Sequence, residues 1–78
     1  MTSTIRLDLE SIFVKIFEKS ITEIKSWTYD SVKEWDSLTQ IELVLTIEEF
    51  WKIKIEPRDI PFLETFDDFL QYLSEHVN

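Results

Sequence analysis

The stretch that decides the fold is Glu34-Trp35-Asp36-Ser37-Leu38, followed by Thr39-Gln40-Ile41-Glu42-Leu43-Val44-Leu45-Thr46-Ile47-Glu48-Glu49-Phe50. Its apolar residues recur at intervals of three and four, the spacing that places side chains on one face of an α-helix. A serine stands where the pattern begins, directly after an aspartate and directly before a leucine. We therefore predict a helix over residues 37–51, with Ser37 at its start.

Helical spacing also marks the first part of the chain. Apolar residues recur at intervals of three and four over residues 4–19, which predicts a first helix there: Ile5, Leu9, Ile12, Phe13, Ile16 and Phe17. Residues 20–35 then form a long connection to the serine. Apolar side chains are spaced along it, so we expect a packed loop rather than a mobile one; they are Ile21, Ile24, Trp27, Tyr29 and Val32.

Two further helices are expected after residue 51. The sequence Glu56-Pro57-Arg58-Asp59-Ile60 suggests a short helix, with Pro57 in its first turn and Pro61 ending it. Thr65 and Asp68 have the spacing of a helix cap, and the apolar pattern that follows predicts a last helix to about residue 76. The fold prediction is therefore all-α: a single domain over residues 1–78, with three longer helices and one short helix.

Composition narrows the class of protein. The chain has 78 residues, of which 44% are apolar, and no cysteine, which suits one small core without disulfides or thiolate metal sites. No apolar run approaches the roughly 18 residues of a membrane span. Residues 1–6 also lack the apolar core of a signal peptide, so we expect a cytoplasmic protein with no membrane span.

The net charge of −8 comes entirely from the second part of the chain. Residues 1–33 hold five acids and five bases, whereas residues 34–78 hold eleven acids and three bases. Such an acidic surface repels nucleic acid and anionic lipid and favours basic protein partners. The same charge would also serve solubility alone, so it does not identify a partner by itself.

The helix predicted over residues 37–51 has two apolar sides. At about 100° per residue, one side carries the expected core residues: Leu43, Val44, Ile47, Phe50 and Trp51. The opposite side mixes leucines with carboxylates, beginning beside Ser37: Leu38, Glu42, Leu45 and Glu49, with Ile41 and Lys52 near its edge. Exposed apolar residues ringed by charge are typical of a docking surface. We expect Leu38 and Leu45 to be exposed and Ile41 to pack under the neighbouring loop.

Ser37 is compatible with two roles. Ser37-Leu38-Thr39-Gln40 fits a Ser-x-x-Gln capping box, in which the serine hydroxyl caps the helix. Asp36 is an equally good cap, and if it takes that role the Ser37 hydroxyl is free. A phosphodiester attached to Ser37 would then lie near unpaired N–H groups at the positive end of the helix dipole, which favours an anion. Local spacing leaves both roles open.

Asp36-Ser37-Leu38 and the helix after it resemble the attachment site of acyl carrier proteins. The similarity continues through residues 41–44, 47–50, 53–55 and 65–73 and, with the first helical pattern, covers nearly the whole chain. The resemblance implies an acyl-carrier-like four-helix bundle in which Ser37 carries 4′-phosphopantetheine, derived from coenzyme A. It implies that a phosphopantetheinyl transferase reads Asp36. It also implies a partner-recognition surface made of Asp36, Leu38, Ile41, Glu42, Leu45, Glu48 and Glu49.

The function implied by the resemblance is delivery rather than catalysis. The thiol of the arm would hold an acyl or aminoacyl group as a thioester, and enzymes that load or use this group would dock through basic patches. Trp-Asp-Ser-Leu is similar to the discrete carriers of specialised biosynthetic pathways, and we expect a monomer. The chain departs from the usual family pattern in three respects: Trp35 stands where glycine is usual, Lys52 and Lys54 stand where many relatives are acidic, and Pro61 is expected to shorten the third helix.

An unmodified, carrier-like adaptor that acts only by binding proteins is the alternative. The residues give little support to an enzyme, because cysteine is absent and the single histidine, His76, falls at the end of the last helix. Glu48 and Glu49 are splayed about 100° apart on a helix and do not form a carboxylate dyad. The sequence has neither a cluster of metal ligands nor a basic face for nucleic acid, so we expect no bound metal and no nucleic-acid partner.

Overall fold

Five helical elements make up the computed structural model, which describes the backbone of residues 2–77 and the side chains of residues 4–77. Their order is α1 (Thr2–Phe17), α2 (Ile21–Ile24), α3 (Ser37–Trp51), a 3-10 helix (Pro57–Phe62) and α4 (Phe66–His76). No strand occurs within residues 2–77, so the prediction of an all-α helical bundle is confirmed. Each helix in that range is too short or too polar to cross a lipid bilayer.

α1 supplies the centre of the core. Most of its apolar residues line one face of the helix, where Leu9 and Phe13 are fully buried, whereas Leu7 and Val14 are exposed. The ring of Phe13 packs edge-on against the rings of Trp35, Phe66 and Phe69, with centroids 5.7, 5.1 and 5.5 Å away. Such edge-to-face pairs are favourable because the positive edge of one ring meets the negative face of another. Phe13 thus joins α1, the connection before α3 and α4 around one aromatic centre.

The connection between α1 and α3 is packed as expected, but it contains a short helix that the sequence analysis did not predict. Ser20 caps this helix, α2, by accepting a hydrogen bond from the Glu23 N–H at 3.3 Å. Of the expected anchors, Ile24 and Trp27 are buried, and Ile21, Tyr29 and Val32 are partly buried against the core. A helix of four residues was missed because it is too short to show periodicity.

Backbone hydrogen bonds fix the part of the connection that leads to Ser37. The Tyr29 N–H donates to the Glu64 carbonyl at 2.7 Å, which attaches the connection to the chain just before α4. The Asp30 N–H donates to the Trp35 carbonyl at 2.8 Å and closes a turn immediately before α3. The residues preceding Ser37 are therefore held by the rest of the fold.

α3 begins and ends where predicted, at Ser37 and Trp51. Its core face is buried at Leu43, Val44 and Ile47 and half-buried at Trp51. The expectation that Phe50 belongs to this face is wrong, because its side chain is 53% exposed. The buried arc of α3 is centred near Gln40 and Ile47, and Phe50 lies about 80° around the helix from Gln40, at the margin of the arc.

The short helix after α3 is a 3-10 helix, and it is longer than predicted. Pro57 occupies its first position as expected, but Pro61 lies inside the helix and does not end it. This 3-10 helix tolerates the proline because the helix is short and its hydrogen bonds join residues three apart. Few of its residues therefore need an N–H group that donates a hydrogen bond. Beyond the proline, the Leu63 N–H donates to the Ile60 carbonyl at 3.0 Å.

α4 begins at the predicted capping sequence. Thr65 Oγ1 accepts a hydrogen bond from the Asp68 N–H at 3.0 Å, and the Asp68 carboxylate accepts one from the Thr65 N–H at 3.1 Å, which completes a reciprocal capping box. The helix ends at His76, which is exposed as expected and stacks on Tyr72. The Tyr72 hydroxyl donates to Asp59 Oδ2 at 3.2 Å and connects α4 to the 3-10 helix.

Candidate attachment serine and the exposed face of α3

Ser37 is the first residue of α3, and its side chain is exposed. The N-cap is the preceding residue, Asp36, whose carboxylate accepts a hydrogen bond from the Thr39 N–H at 2.9 Å. The Asp36 carbonyl accepts the first helical hydrogen bond, from the Gln40 N–H, also at 2.9 Å. Of the two arrangements that the sequence left open, the cap therefore belongs to Asp36, and the Ser-x-x-Gln capping box does not form.

The first turn of α3 favours negative charge. The N–H groups of Thr39 and Gln40 donate to the side chain and the carbonyl of Asp36. The N–H groups of Ser37 and Leu38 lie too close to the start of the helix to have a carbonyl partner within it. These two N–H groups and the helix dipole favour negative charge there. Asp36 already supplies one such charge: the hydrogen bond from the Thr39 N–H, with a smaller contribution from the Leu38 N–H, holds the pKa of its carboxyl below the usual 3.8, so the group is ionised at neutral pH.

Trp35 and Gln40 fix the segment on either side of Ser37. The Trp35 indole N–H donates to Gln40 Oε1 at 2.8 Å, and Gln40 Nε2 donates to the Leu63 carbonyl at 2.9 Å. Both side chains are buried, and their hydrogen bonds meet the requirement that buried polar groups have partners. The start of α3 is thereby attached to the residue that follows the 3-10 helix.

Sequence reasoning missed the roles of these two residues. It noted Trp35 only as a departure from a family pattern, and it considered Gln40 only as part of a cap. One signal was present, because Gln40 falls on the core face of α3 near Leu43, where a polar side chain requires a partner. The identity of that partner depends on how the connection folds over α3, which periodicity along the chain does not reveal.

Three apolar side chains form an exposed stripe on α3. Leu38, Ile41 and Leu45 are 74%, 56% and 59% exposed, and their spacing places them along one side of the helix beside Ser37. The predicted exposure of Leu38 and Leu45 is confirmed. The expectation that Ile41 packs under the neighbouring loop is wrong. Gln40 lies near the centre of the buried arc. Ile41 lies about 100° around the helix from Gln40 and therefore faces outward.

Carboxylates accompany the exposed stripe. Glu42 and Glu49 are exposed, and their separation of seven residues aligns them along α3. Glu48 is partly buried, and its Oε2 accepts a hydrogen bond from the Ile55 N–H at 2.8 Å. The residues expected to recognise partners thus lie on or beside one surface of α3, and Glu48 additionally holds the segment that follows the helix.

A cleft of about 240 Å³ lies between α3 and the 3-10 helix. Ile41 and Leu45 of the exposed stripe line one wall, and Ile60 lines the other. Lys54 also lines this cleft and, with the exposed Lys52, brings positive charge to the carboxyl end of α3. Because Glu48 and Glu49 also lie near that end, the surface of α3 carries both signs of charge there.

The site combines an exposed serine at the start of α3, an apolar stripe beside it and carboxylates along the stripe. Such a surface can accept a covalent group at the hydroxyl and can bind a basic, partly apolar partner through the helix. No protein-family model matches the sequence.

Proposed function

We propose that this chain is an acyl carrier protein in which Ser37 carries a 4′-phosphopantetheine arm. The observation that carries the proposal is the position of Ser37, which is exposed at the first position of α3 and is not used as the cap, because Asp36 takes that role. The exposed stripe begins at the next residue, Leu38. Modification and docking would then share one surface, and the Trp-Asp-Ser-Leu sequence favours a specialised biosynthetic pathway.

The residues around Ser37 fit the arm. Its phosphodiester is an anion, and the N–H groups of Ser37 and Leu38 at the positive end of α3 suit an anion. When bound, the arm supplies a terminal thiol that holds an acyl or aminoacyl group as a thioester. The residues of the chain supply the anchoring hydroxyl, the positive helix end and the docking surface.

Attachment requires a phosphopantetheinyl transferase and coenzyme A. Ser37 Oγ forms a bond to the phosphorus next to pantetheine, and the bond from that phosphorus to the oxygen bridging the two phosphates breaks. Adenosine 3′,5′-bisphosphate leaves with that oxygen, and the hydroxyl proton passes to a base on the transferase. Asp36 remains bonded to the Thr39 N–H, so the start of α3 keeps its cap while Ser37 reacts.

Docking of the enzymes that load or use the acyl group follows from the same surface. Glu42 and Glu49 would attract lysine and arginine side chains, and the exposed stripe would provide apolar contact. Charges at the rim of an interface raise the association rate more than the affinity. Weak, rapid association suits a carrier that must release each partner in turn.

The experiment that tests the proposal is intact mass after incubation with coenzyme A and a broad-specificity phosphopantetheinyl transferase. Wild type is compared with Ser37→Ala and with Ser11→Ala, which removes another exposed helical serine. We expect one phosphopantetheine mass gain in wild type and Ser11→Ala, and none in Ser37→Ala. No gain with several transferases, while circular dichroism shows folded protein, would contradict the proposal.

The exposed stripe also favours a second candidate, an adaptor that binds proteins without being modified. Its three apolar side chains would contact a partner whether or not Ser37 carries a group. This candidate requires that wild type stays unmodified in the mass experiment. It also requires that Ser37→Ala binds the partner as tightly as wild type does.

A further inference from the structure

Resting on the carrier function proposed above, we propose that the cargo stays outside the helical core and that Trp35 is the residue that closes the core behind Ser37. The carrier would then suit short or polar acyl groups rather than long apolar chains. Trp35 lies two residues before Ser37 and is bonded to Gln40, three residues after it. Because the indole is fully buried and is hydrogen-bonded to the first turn of α3, it occupies the core beside the segment that carries Ser37.

Aromatic rings from two helices pack around the Trp35 indole. Phe13 and Phe17 of α1 lie 5.7 and 5.4 Å from it, centroid to centroid, and Phe69 of α4 stacks on it at 6.4 Å. These are the separations of rings in contact. An alkyl chain that entered from Ser37 would therefore have to displace the indole or one of these rings from a close-packed core.

Two hydrogen bonds hold the indole in this position. Trp35 Nε1 donates to Gln40 Oε1 at 2.8 Å, and the Gln40 side chain is in turn held by the Leu63 carbonyl at 2.9 Å. Moving the indole outward would leave a buried acceptor on Gln40 unpaired, which is unfavourable. Packing and hydrogen bonding thus oppose the same movement.

A closed core restricts the acyl groups that the carrier suits. A chain kept outside lies in water or against the cleft of about 240 Å³ beside the exposed stripe. Each methylene left in water is unfavourable, whereas a short, hydroxylated or charged group gains little from burial. A group held outside is also accessible to partner enzymes without first leaving the core.

The test uses wild-type protein loaded in one step by the transferase from acetyl-, butyryl-, octanoyl- and dodecanoyl-coenzyme A. Intact mass verifies loading, and proton–nitrogen correlation spectra follow the indole N–H of Trp35, identified with Trp35→Phe. We expect the position of this signal and the melting temperature to be the same across the series. A signal that moves together with a melting temperature that rises with chain length would overturn the proposal, because a ligand bound inside the folded core stabilises it.

Trp35→Leu provides the converse measurement, with Trp51→Leu, at the partly buried end of α3, as the matched control. Removing the indole leaves space lined by the rings of Phe13, Phe17 and Phe69 and by Gln40 Oε1, and apolar cavities of about 150 Å³ bind small hydrophobic molecules. We expect octanoyl loading to raise the melting temperature of Trp35→Leu above that of its acetyl form, with no such difference in Trp51→Leu. Equal behaviour of the two variants would overturn the role of Trp35. If Trp35→Leu does not fold, the wild-type series decides the question.

The experiments distinguish a wrong proposal of the carrier function from a wrong proposal of the closed core. If no coenzyme A derivative adds mass to wild type, the carrier function and the assignment of cargo fail together. Octanoate titrated into unmodified protein then tests the closed core separately. An unchanged Trp35 indole signal supports closure, and a shifted signal overturns it.

Discussion

Trp35 and Gln40 are joined across the Ser37 segment by a buried hydrogen bond of 2.8 Å, from the indole N–H to the side-chain carbonyl oxygen. The side-chain amide of Gln40 continues the connection to the Leu63 carbonyl at 2.9 Å. One glutamine therefore satisfies a buried donor that precedes α3 and a backbone acceptor that follows the 3-10 helix. The start of α3 is positioned by this pair of bonds as well as by apolar packing.

Replacing Gln40 tests how much this connection stabilises the fold. Gln40→Leu keeps a similar volume but leaves the Trp35 indole N–H and the Leu63 carbonyl without their partners. Since each buried polar group left unpaired costs about 1–3 kcal/mol, we expect the free energy of unfolding to fall by about 2–4 kcal/mol in urea titrations. Gln71→Leu, at an exposed position of α4, is the control and should change it by less than about 0.5 kcal/mol. Similar losses in the two variants would contradict a structural role for the connection.

The Asp36 cap of α3 makes the stability of the fold depend on pH. The hydrogen bond from the Thr39 N–H lowers the pKa of Asp36 in the folded protein below 3.8, so the ionised carboxylate favours folding above that pH. This contribution is lost as the pH falls from 3.8 through the lower folded pKa. Asparagine caps helices about as well as aspartate does but has no charge to lose. As the pH falls through this range, we expect the melting temperature of Asp36→Asn to decrease less than that of wild type. Parallel melting curves for the two proteins would contradict it.

Two leucines on α3 test which face is the core. Leu43 is fully buried, whereas Leu45 is 59% exposed on the stripe. We expect Leu43→Ala to lower the free energy of unfolding by about 2–5 kcal/mol, because it removes buried apolar contacts and leaves a cavity. Leu45→Ala should change it by about 0.5 kcal/mol or less. A large loss in Leu45→Ala, measured by urea titration, would mean that the stripe is covered in the folded protein.

The carboxylates on α3 are expected to direct the transferase. Glu42→Lys combined with Glu49→Lys should lower kcat/KM for phosphopantetheine transfer about tenfold at low salt. The introduced lysines would have the same charge as the basic patch expected on the transferase, and this repulsion slows association. The decrease should shrink as salt screens the charges. Glu64→Lys combined with Glu75→Lys changes net charge equally at exposed positions outside α3 and serves as the control. Equal decreases in the two double variants would show an effect of net charge and not of this surface.

The carboxyl end of α3 offers a stabilising substitution. Lys52 ends the helix in the left-handed region, with φ of 59°, where a side chain is unfavourable and glycine is not. We expect Lys52→Gly to raise the free energy of unfolding by about 0.5–1 kcal/mol. Lys52→Ala removes the charge but keeps the Cβ atom, so it should not show this gain. A Lys52→Gly variant no more stable than Lys52→Ala would contradict the argument.

Local sequence patterns were sufficient where periodicity and capping act together. α3 combines a continuous apolar repeat with a cap, and both of its ends were predicted at the residues where they occur. α4 follows a capping box in which Thr65 and Asp68 satisfy each other, so its start was also evident. In both helices the signals come from residues close together in the chain.

Features that depend on contacts distant in the chain were not predictable in the same way. Ile41 and Phe50 were misplaced because a helical pattern gives the direction of each side chain but not the width of the surface that neighbours cover. Whether Asp36 or Ser37 caps α3 also remained open until the conformation of the connection was known. The attachment of phosphopantetheine to Ser37 stays a prediction.

The burial of Trp35 also bears on motion. Its ring lies between α1 and α4, so we expect Trp35 to leave its position only together with much of the core. The hydrogen-bonded amide protons of Asp30 and Trp35 should then exchange at the rate of global rather than local unfolding. A group attached to Ser37 would start from a rigid base, and its range of movement would come only from its own rotatable bonds. The protein would set a fixed origin, and the length of the arm would set how far the cargo reaches.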